Sequence, residues 1–250
     1  MASRLRITVV ILIIIGIVAL GASGYTYLRT QDSADSLQGF SEAQDVHLSY
    51  NCDGELIDRG TTEGADAILE LLGETWRWPI VDGELDPDDP LVNTATEYMY
   101  QMATIAYHTL HGEQTVVLTE TAEWDGDGEE GISAEAVEYF GGAWDPTTTG
   151  VDEVFNPGTY QVPVNERYWT QFNRQHPLDG PARAQTWSGT VHGLFAELGV
   201  GAVTASLAQV GVGIAAVVLL MGLGFGAAGI LLIWVAAGAK KEDEPEAPAA

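Results

Sequence analysis

Two runs of sequence without a charged side chain decide what this chain can fold into. One extends from Ile7 to Leu28, the other from Leu198 to Ala239. About 20 apolar residues cross the hydrocarbon core of a bilayer as a helix, and both runs reach that length. A helix in lipid satisfies its own backbone hydrogen bonds, whereas in water the same surface would stand unburied. The expectation is two transmembrane helices, over residues 7–28 and 210–238, with one domain between them.

Basic residues set the orientation. Arg4 and Arg6 precede the first run, and Lys240 and Lys241, the only lysines in the chain, follow the second. Lys and Arg beside span ends favour the cytoplasm, so residues 1–6 and 239–250 are expected inside the plasma membrane and the centre outside. The last segment is too short and polar to fold. A secretory signal would share the basic start, the apolar stretch and the small residues of "ALGASG", but the uncharged run continues through "YTYL", which fits an uncleaved anchor. The 42 uncharged residues from Leu198 to Ala239 also suffice for a hairpin of two spans bending near Gln209, Gly211 and Gly213. That arrangement would place the basic pair outside, so a single span is preferred.

The centre has a different chemistry. Between Arg29 and Gln209 there are six arginines, no lysine and 32 acidic residues, a net charge of −26, while the two ends balance. In dilute buffer such a charge loosens a compact fold by self-repulsion; at molar salt the screening length falls to about 3 Å. The composition reads as adaptation to high salt on a cell surface. Nucleic acid is not an expected partner, because phosphate binding needs a basic face. Cys52 is the only cysteine, so neither an intrachain disulfide nor a thiolate metal cluster can form.

Local patterns give the central segment an α+β character. Residues 29–44 are polar and small and read as a linker. Residues 45–205 read as a single extracytoplasmic domain of hairpin strands and packed helices, a normal size for one core. In "DVHLSYNCDGELIDRG" apolar and polar residues alternate on both sides of Asp53 and Gly54, a favoured two-residue hairpin centre. A helix should follow, with Ala65, Ile68, Leu69 and Leu72 on the face toward that hairpin. "WRWPIV" resembles a short aromatic strand. Thr94 and Glu97 have capping-box spacing ahead of a helix with Tyr98, Met102, Ile105 and Thr109 along one stripe and Gly112 at its stop. "EQTVVLTET" and "GTYQVPV" are further strands, and Trp187, Val191, Leu194, Phe195 and Leu198 recur at helical spacing on the approach to the second span.

Candidate sites are few. In "EWDGDGEEG" the acids Glu123, Asp125, Asp127 and Glu129 alternate, and Gly128 stands at the sixth position, as in the oxygen register of a calcium loop. Position twelve of that register falls on Ala134, where a bidentate glutamate is needed. His108 and His111 lie three apart on one helix and could share a transition metal, but two ligands fall short of the usual three. Gly222 and Gly226 form a GxxxG pair suited to close helix packing in lipid, with the first span as neighbour. "GVGIAA" at Gly211–Ala216 fits the dinucleotide string only formally, since no strand precedes it and no acid follows. No nucleophile elbow or phosphate loop is present. The leading expectation is a membrane-anchored, salt-adapted surface protein whose outer domain acts by protein contacts, as an accessory subunit or binding module. Its partner would be a membrane protein or another copy of the chain, and no cofactor is called for. The alternative is an extracytoplasmic divalent-ion-binding protein or hydrolase that uses the acidic loop 123–130.

Overall fold

The structure, a computed structural model, describes residues 2–124, 153–164 and 167–242. It mixes helix with short strands, in the order α1 (Ala2–Gln44), β1 (Ser49–Tyr50), β2 (Leu56–Ile57), α2 (Thr62–Glu70), α3 (Ala95–Leu110), β3 (Glu113–Leu118), β4 (Ala122–Trp124), β5 (Glu153–Phe155), β6 (Gly158–Pro163), α4 (Asp179–Thr186) and α5 (Gly189–Glu242). The chain divides into two compact units, one formed by Met1–Asp45 with Val203–Ala250 and the other by Val46–Ala202.

The first unit is a pair of antiparallel helices. α1 and α5 are each long and apolar enough to cross a membrane, and only 11% of the most apolar window of either is buried. The core helix of a water-soluble protein would be covered by its neighbours; here Ile11, Ile14, Val18, Leu220, Leu223 and Trp234 all stand exposed. α5 is one unbroken helix of 54 residues, so the hairpin of two spans weighed for residues 198–239 does not form. At 1.5 Å per residue its length is roughly 80 Å, well beyond the roughly 30 Å of a hydrocarbon core. The polar segment 29–44, expected as a linker, is helical throughout. Its Ser, Asp, Gln and Gly content suggested a loop, yet pairs spaced for a helix hold it. Arg29 meets Asp32 at 3.2 Å and Gln38 donates to Glu42 at 3.1 Å.

The second unit begins with the expected hairpin, but its turn is wider than the Asp53-Gly54 pair suggested. Ser49 faces Ile57 and Tyr50 faces Leu56, which leaves three residues beyond the Asn51–Glu55 pair. Asn51 organises them: its side-chain oxygen accepts from the Asp53 and Glu55 amides, both at 2.9 Å. Gly54 takes a φ of +77°, the left-handed position of a three-residue hairpin loop. α2 is capped by the Thr61 hydroxyl, which accepts from the Gly64 amide, and it buries Ala65 and Ile68 against β2 and α3. A single π-helical turn, Leu71–Thr75, extends it and buries Leu72. The strand expected over "WRWPIV" is absent. Pro79 removes a backbone donor, the Trp78 amide folds back to the Leu72 carbonyl at 3.1 Å, and the Val81 amide bonds the Thr96 hydroxyl instead of a ladder.

α3 starts with the capping box that Thr94 and Glu97 spell. The Thr94 hydroxyl accepts from the Glu97 amide, and the Glu97 carboxylate accepts from the amides of Asn93 and Thr94 and from the Thr94 hydroxyl at 2.8–3.0 Å. Glu97 is buried, and burial raises its carboxyl above the ordinary value even though those three donors pull it down. Burial, and then the charges of Glu97 and Asp86, push the Tyr50 phenol up to about 12. The buried stripe of α3 differs from the expected one. Tyr98 is buried, but Met102, Ile105 and Thr109 are only partly so, while Met99, Ala103, Ala106 and Leu110 are buried. Helix α2 packs on α3, and the small Ala103 and Ala106 are among its most deeply buried residues.

From Gly112, at φ +96°, the chain enters a nested antiparallel ribbon. β3 pairs along its length with β6, Glu113 facing Pro163 and Leu118 facing Gly158, and β4 pairs inside them with β5. Alternation puts Val116 and Val162 on one face, where they join Val164, Phe172, Leu178 and Ala182 in a core that includes α4. Thr115 and Gln161 hydrogen-bond on the other face at 3.1 Å.

Candidate functional site

The expected ligand groups meet different fates. Glu123 lies on β4 opposite Val154; Asp125, Asp127 and Glu129 lie outside the described residues, as does the short helix expected over "SAEAVEYF". His108 directs Nε2 to the Asp58 carboxylate at 2.9 Å. His111 caps α3 and turns back on its own helix, with Nδ1 2.7 Å from the Tyr107 carbonyl and its ring 4.1 Å from that of Tyr107. Each histidine thus has its own neighbour, and among the described residues no three His, Cys, Asp or Glu side chains converge to hold a metal ion. Cys52 is exposed in the first hairpin loop.

The glycines of the helix pair have defined surroundings. A Cβ on Gly16 would stand 2.9 Å from the Gly226 nitrogen and 3.0 Å from the Gly222 carbonyl oxygen; one on Gly222 would stand 3.0 Å from the backbone nitrogen of Leu20. Backbone meets backbone here, as small residues permit in lipid. Gly226 differs from Gly222. Its main chain lies against Gly16, but its own Cβ would meet nothing within 4 Å. The Ser23 hydroxyl donates to the Ala215 carbonyl at 2.7 Å along the same seam.

The second unit holds a polar arrangement that no motif announced. Between Glu166 and Glu197 the sequence has three arginines and a single acid, Asp179, in a segment otherwise dominated by carboxylates. Arg167 and Asp179 are buried and paired. The Arg167 guanidinium also donates to the Pro163 and Gln171 carbonyls at 3.2 Å and lies 4.1 Å over the Phe172 ring, while the Asn173 amide donates to Asp179 at 2.9 Å. His176, buried between Trp124 and Phe155, accepts on Nδ1 from the amides of Leu178 and Asp179 at the start of α4. These contacts fix the loop 167–178 against α4. Gly180 permits the close approach, since a Cβ there would lie 2.5 Å from the Arg174 carbonyl oxygen.

An aromatic lattice supports the same loop. Trp76 donates to the Tyr168 hydroxyl at 2.9 Å, and Trp187 donates to the Arg167 carbonyl at 3.1 Å and packs on Tyr168, His192 and Phe195. Trp187 and Phe195, on the stretch expected to lead into the second span, therefore belong to this lattice. On its outer side Arg183 lies 4.1 Å over the Trp169 ring and donates from Nε to the Trp169 carbonyl at 2.9 Å. Trp169, Arg174 and Arg183, with Thr170, Asn173 and Gln175, line an open pocket of about 330 Å³. Burial, and next the charge of Arg174, lower the Arg183 guanidinium from its ordinary value. Among the described residues neither Arg174 nor Arg183 has a carboxylate at ion-pair distance.

No family model, curated protein or solved structure matches the chain.

Proposed function

We propose that the protein is a membrane-tethered surface component whose outer domain acts by protein contacts, as an accessory subunit or binding module of a larger assembly in a high-salt setting. One observation carries this reading, a groove of about 420 Å³ along the seam of α1 and α5, lined by Leu20, Ser23, Gly24, Ala215, Ala216 and Leu219 among others. Apart from Tyr27 its walls are small or aliphatic, and the Ser23 hydroxyl is already committed to Ala215. At Gly24 a Cβ would meet nothing within 4 Å, so a third helix can approach closely, as interfaces in lipid require. The partner is a membrane protein or a second copy of this chain. Arg4, Arg6, Lys240 and Lys241 favour cytoplasmic termini with the acidic segment from Arg29 to Gln209 outside, where molar salt screens its charge of −26.

Photo-crosslinking in native membranes tests the reading. A photoreactive side chain at Ala216, in the groove, should give one discrete protein adduct, and the same group at Val18, exposed on α1, should give lipid adducts alone. No discrete adduct from Ala216, or the same adduct from both positions, would count against a partner in the groove.

A further inference from the structure

We propose that the pocket walled by Trp169, Arg174 and Arg183 is an oxyanion site that takes a small ligand bearing phosphate or carboxylate groups. Charge is the first reason. Between Glu166 and Glu197 three arginines share one acid, Asp179, so only one guanidinium can find a carboxylate within this stretch. Arg167 does so, buried against Asp179. Among the described residues Arg174 and Arg183 do not, although both line one pocket and are near enough for the charge of one to disfavour that of the other. Two like charges held together without a counter-charge are destabilising unless an anion joins them.

Preorganisation is the second reason. Arg183 is fixed by its stacking on Trp169 and by the bond from Nε to the Trp169 carbonyl. Its two terminal nitrogens have no partner among the described residues and remain available as a donor fork that matches two oxygens of one phosphate or carboxylate. Arg174 is placed by its own backbone, whose carbonyl rests on Gly180 in the first turn of α4, one turn before Arg183. The volume of about 330 Å³ lies at the small end of ligand pockets and exceeds what a bare ion fills. High salt sharpens the requirement. Long-range attraction is screened within about 3 Å at molar ionic strength, so selection over chloride must come from hydrogen-bond geometry, which a monatomic ion cannot supply to a planar fork.

The test uses the full chain in mild detergent and molar potassium chloride, titrated with sodium phosphate or with sodium citrate at constant ionic strength. The readouts are calorimetric heat and melting temperature. At least one probe should bind and raise the melting temperature through linkage. A response to phosphate alone assigns a phosphoryl ligand, a response to citrate alone a carboxylate ligand, and a response to both a site for either group. Arg183→Lys, which keeps the charge and loses the fork, and Arg174→Gln should each weaken that binding about tenfold or more. Without a probe, Arg174→Gln should melt no lower than the parent, because the side chain is exposed and its removal relieves repulsion. Failure of both probes to bind would overturn the proposal, as would binding that both variants retain.

Discussion

Replacing Gly16 by alanine tests the helix pair at its tightest point. The new methyl carbon would lie 2.9 Å from the Gly226 nitrogen, 3.0 Å from the Gly222 oxygen and 3.2 Å from the Gly226 Cα, all main-chain atoms of the facing helix. Ordinary contact begins near 3.4 Å, so the helices must part by roughly 0.5 Å, and no rotamer change can relieve the contact. Overpacking of this kind costs about 1–3 kcal/mol, or roughly 5- to 150-fold in the equilibrium between paired and separated helices. Gly226→Ala is the matched control. Its methyl group would meet nothing within 4 Å, and alanine is the better helix former by up to about 1 kcal/mol. Donor and acceptor fluorophores on Val10→Cys and Ile230→Cys, in a Cys52→Ser background, report pairing during a titration from mild detergent into dodecyl sulfate. Gly16→Ala should shift the loss of energy transfer to lower dodecyl sulfate, and Gly226→Ala should leave it in place or move it higher. Equal shifts for both, or no shift for Gly16→Ala, would refute the packing argument.

Three further outcomes follow from the second unit and from the acidic run 123–129. Asp179→Ala leaves the buried Arg167 charge unpaired and should destabilise the unit by about 3–5 kcal/mol; denaturant melts at two salt concentrations should give the same loss, since a buried pair is poorly screened. Because burial raises the Glu97 carboxyl above its ordinary value of 4.5, the folded state holds this proton more tightly than the unfolded chain. Its contribution is full below that value and is lost as pH rises through the raised one. Glu97→Gln should therefore flatten the fall of melting temperature with rising pH above 4.5 relative to the parent, and an unchanged slope would contradict the assignment. If Glu123, Asp125, Asp127 and Glu129 hold calcium, millimolar calcium at constant ionic strength raises the melting temperature of the full chain; the absence of a shift would remove the calcium reading.

What the sequence disclosed was decided locally or by solvent. The two apolar runs were legible because lipid and water impose opposite demands on more than 20 consecutive residues. The capping box at Thr94 was legible because all its partners lie within four residues of one another. On α3 the face that is buried is the one with Ala103 and Ala106, and not the one with the larger Met102 and Ile105, because side-chain size in the sequence does not say which face of a helix its neighbours cover. The hairpin turn was misplaced because the Asn51 side chain, a non-backbone acceptor, widens it to three residues. The glycine motif named Gly222 and Gly226 together, but only the facing helix distinguishes them, through Gly16 and Leu20. The arginine pocket joins a loop to a helix by contacts that no fixed spacing encodes. Its single sequence signal is the local excess of arginine from Arg167 to Arg183 in an acidic segment.

The most direct test of the membrane-tethered, contact-making role is the mass and composition of the full-length protein extracted from its own membranes in mild detergent and high salt. The account predicts a defined assembly, with a membrane protein or further copies of this chain in fixed ratio and contacts through the groove at Ser23, Gly24 and Ala216. A lone monomer in the detergent-solubilised membrane fraction, or recovery of the chain in the soluble fraction, would contradict it.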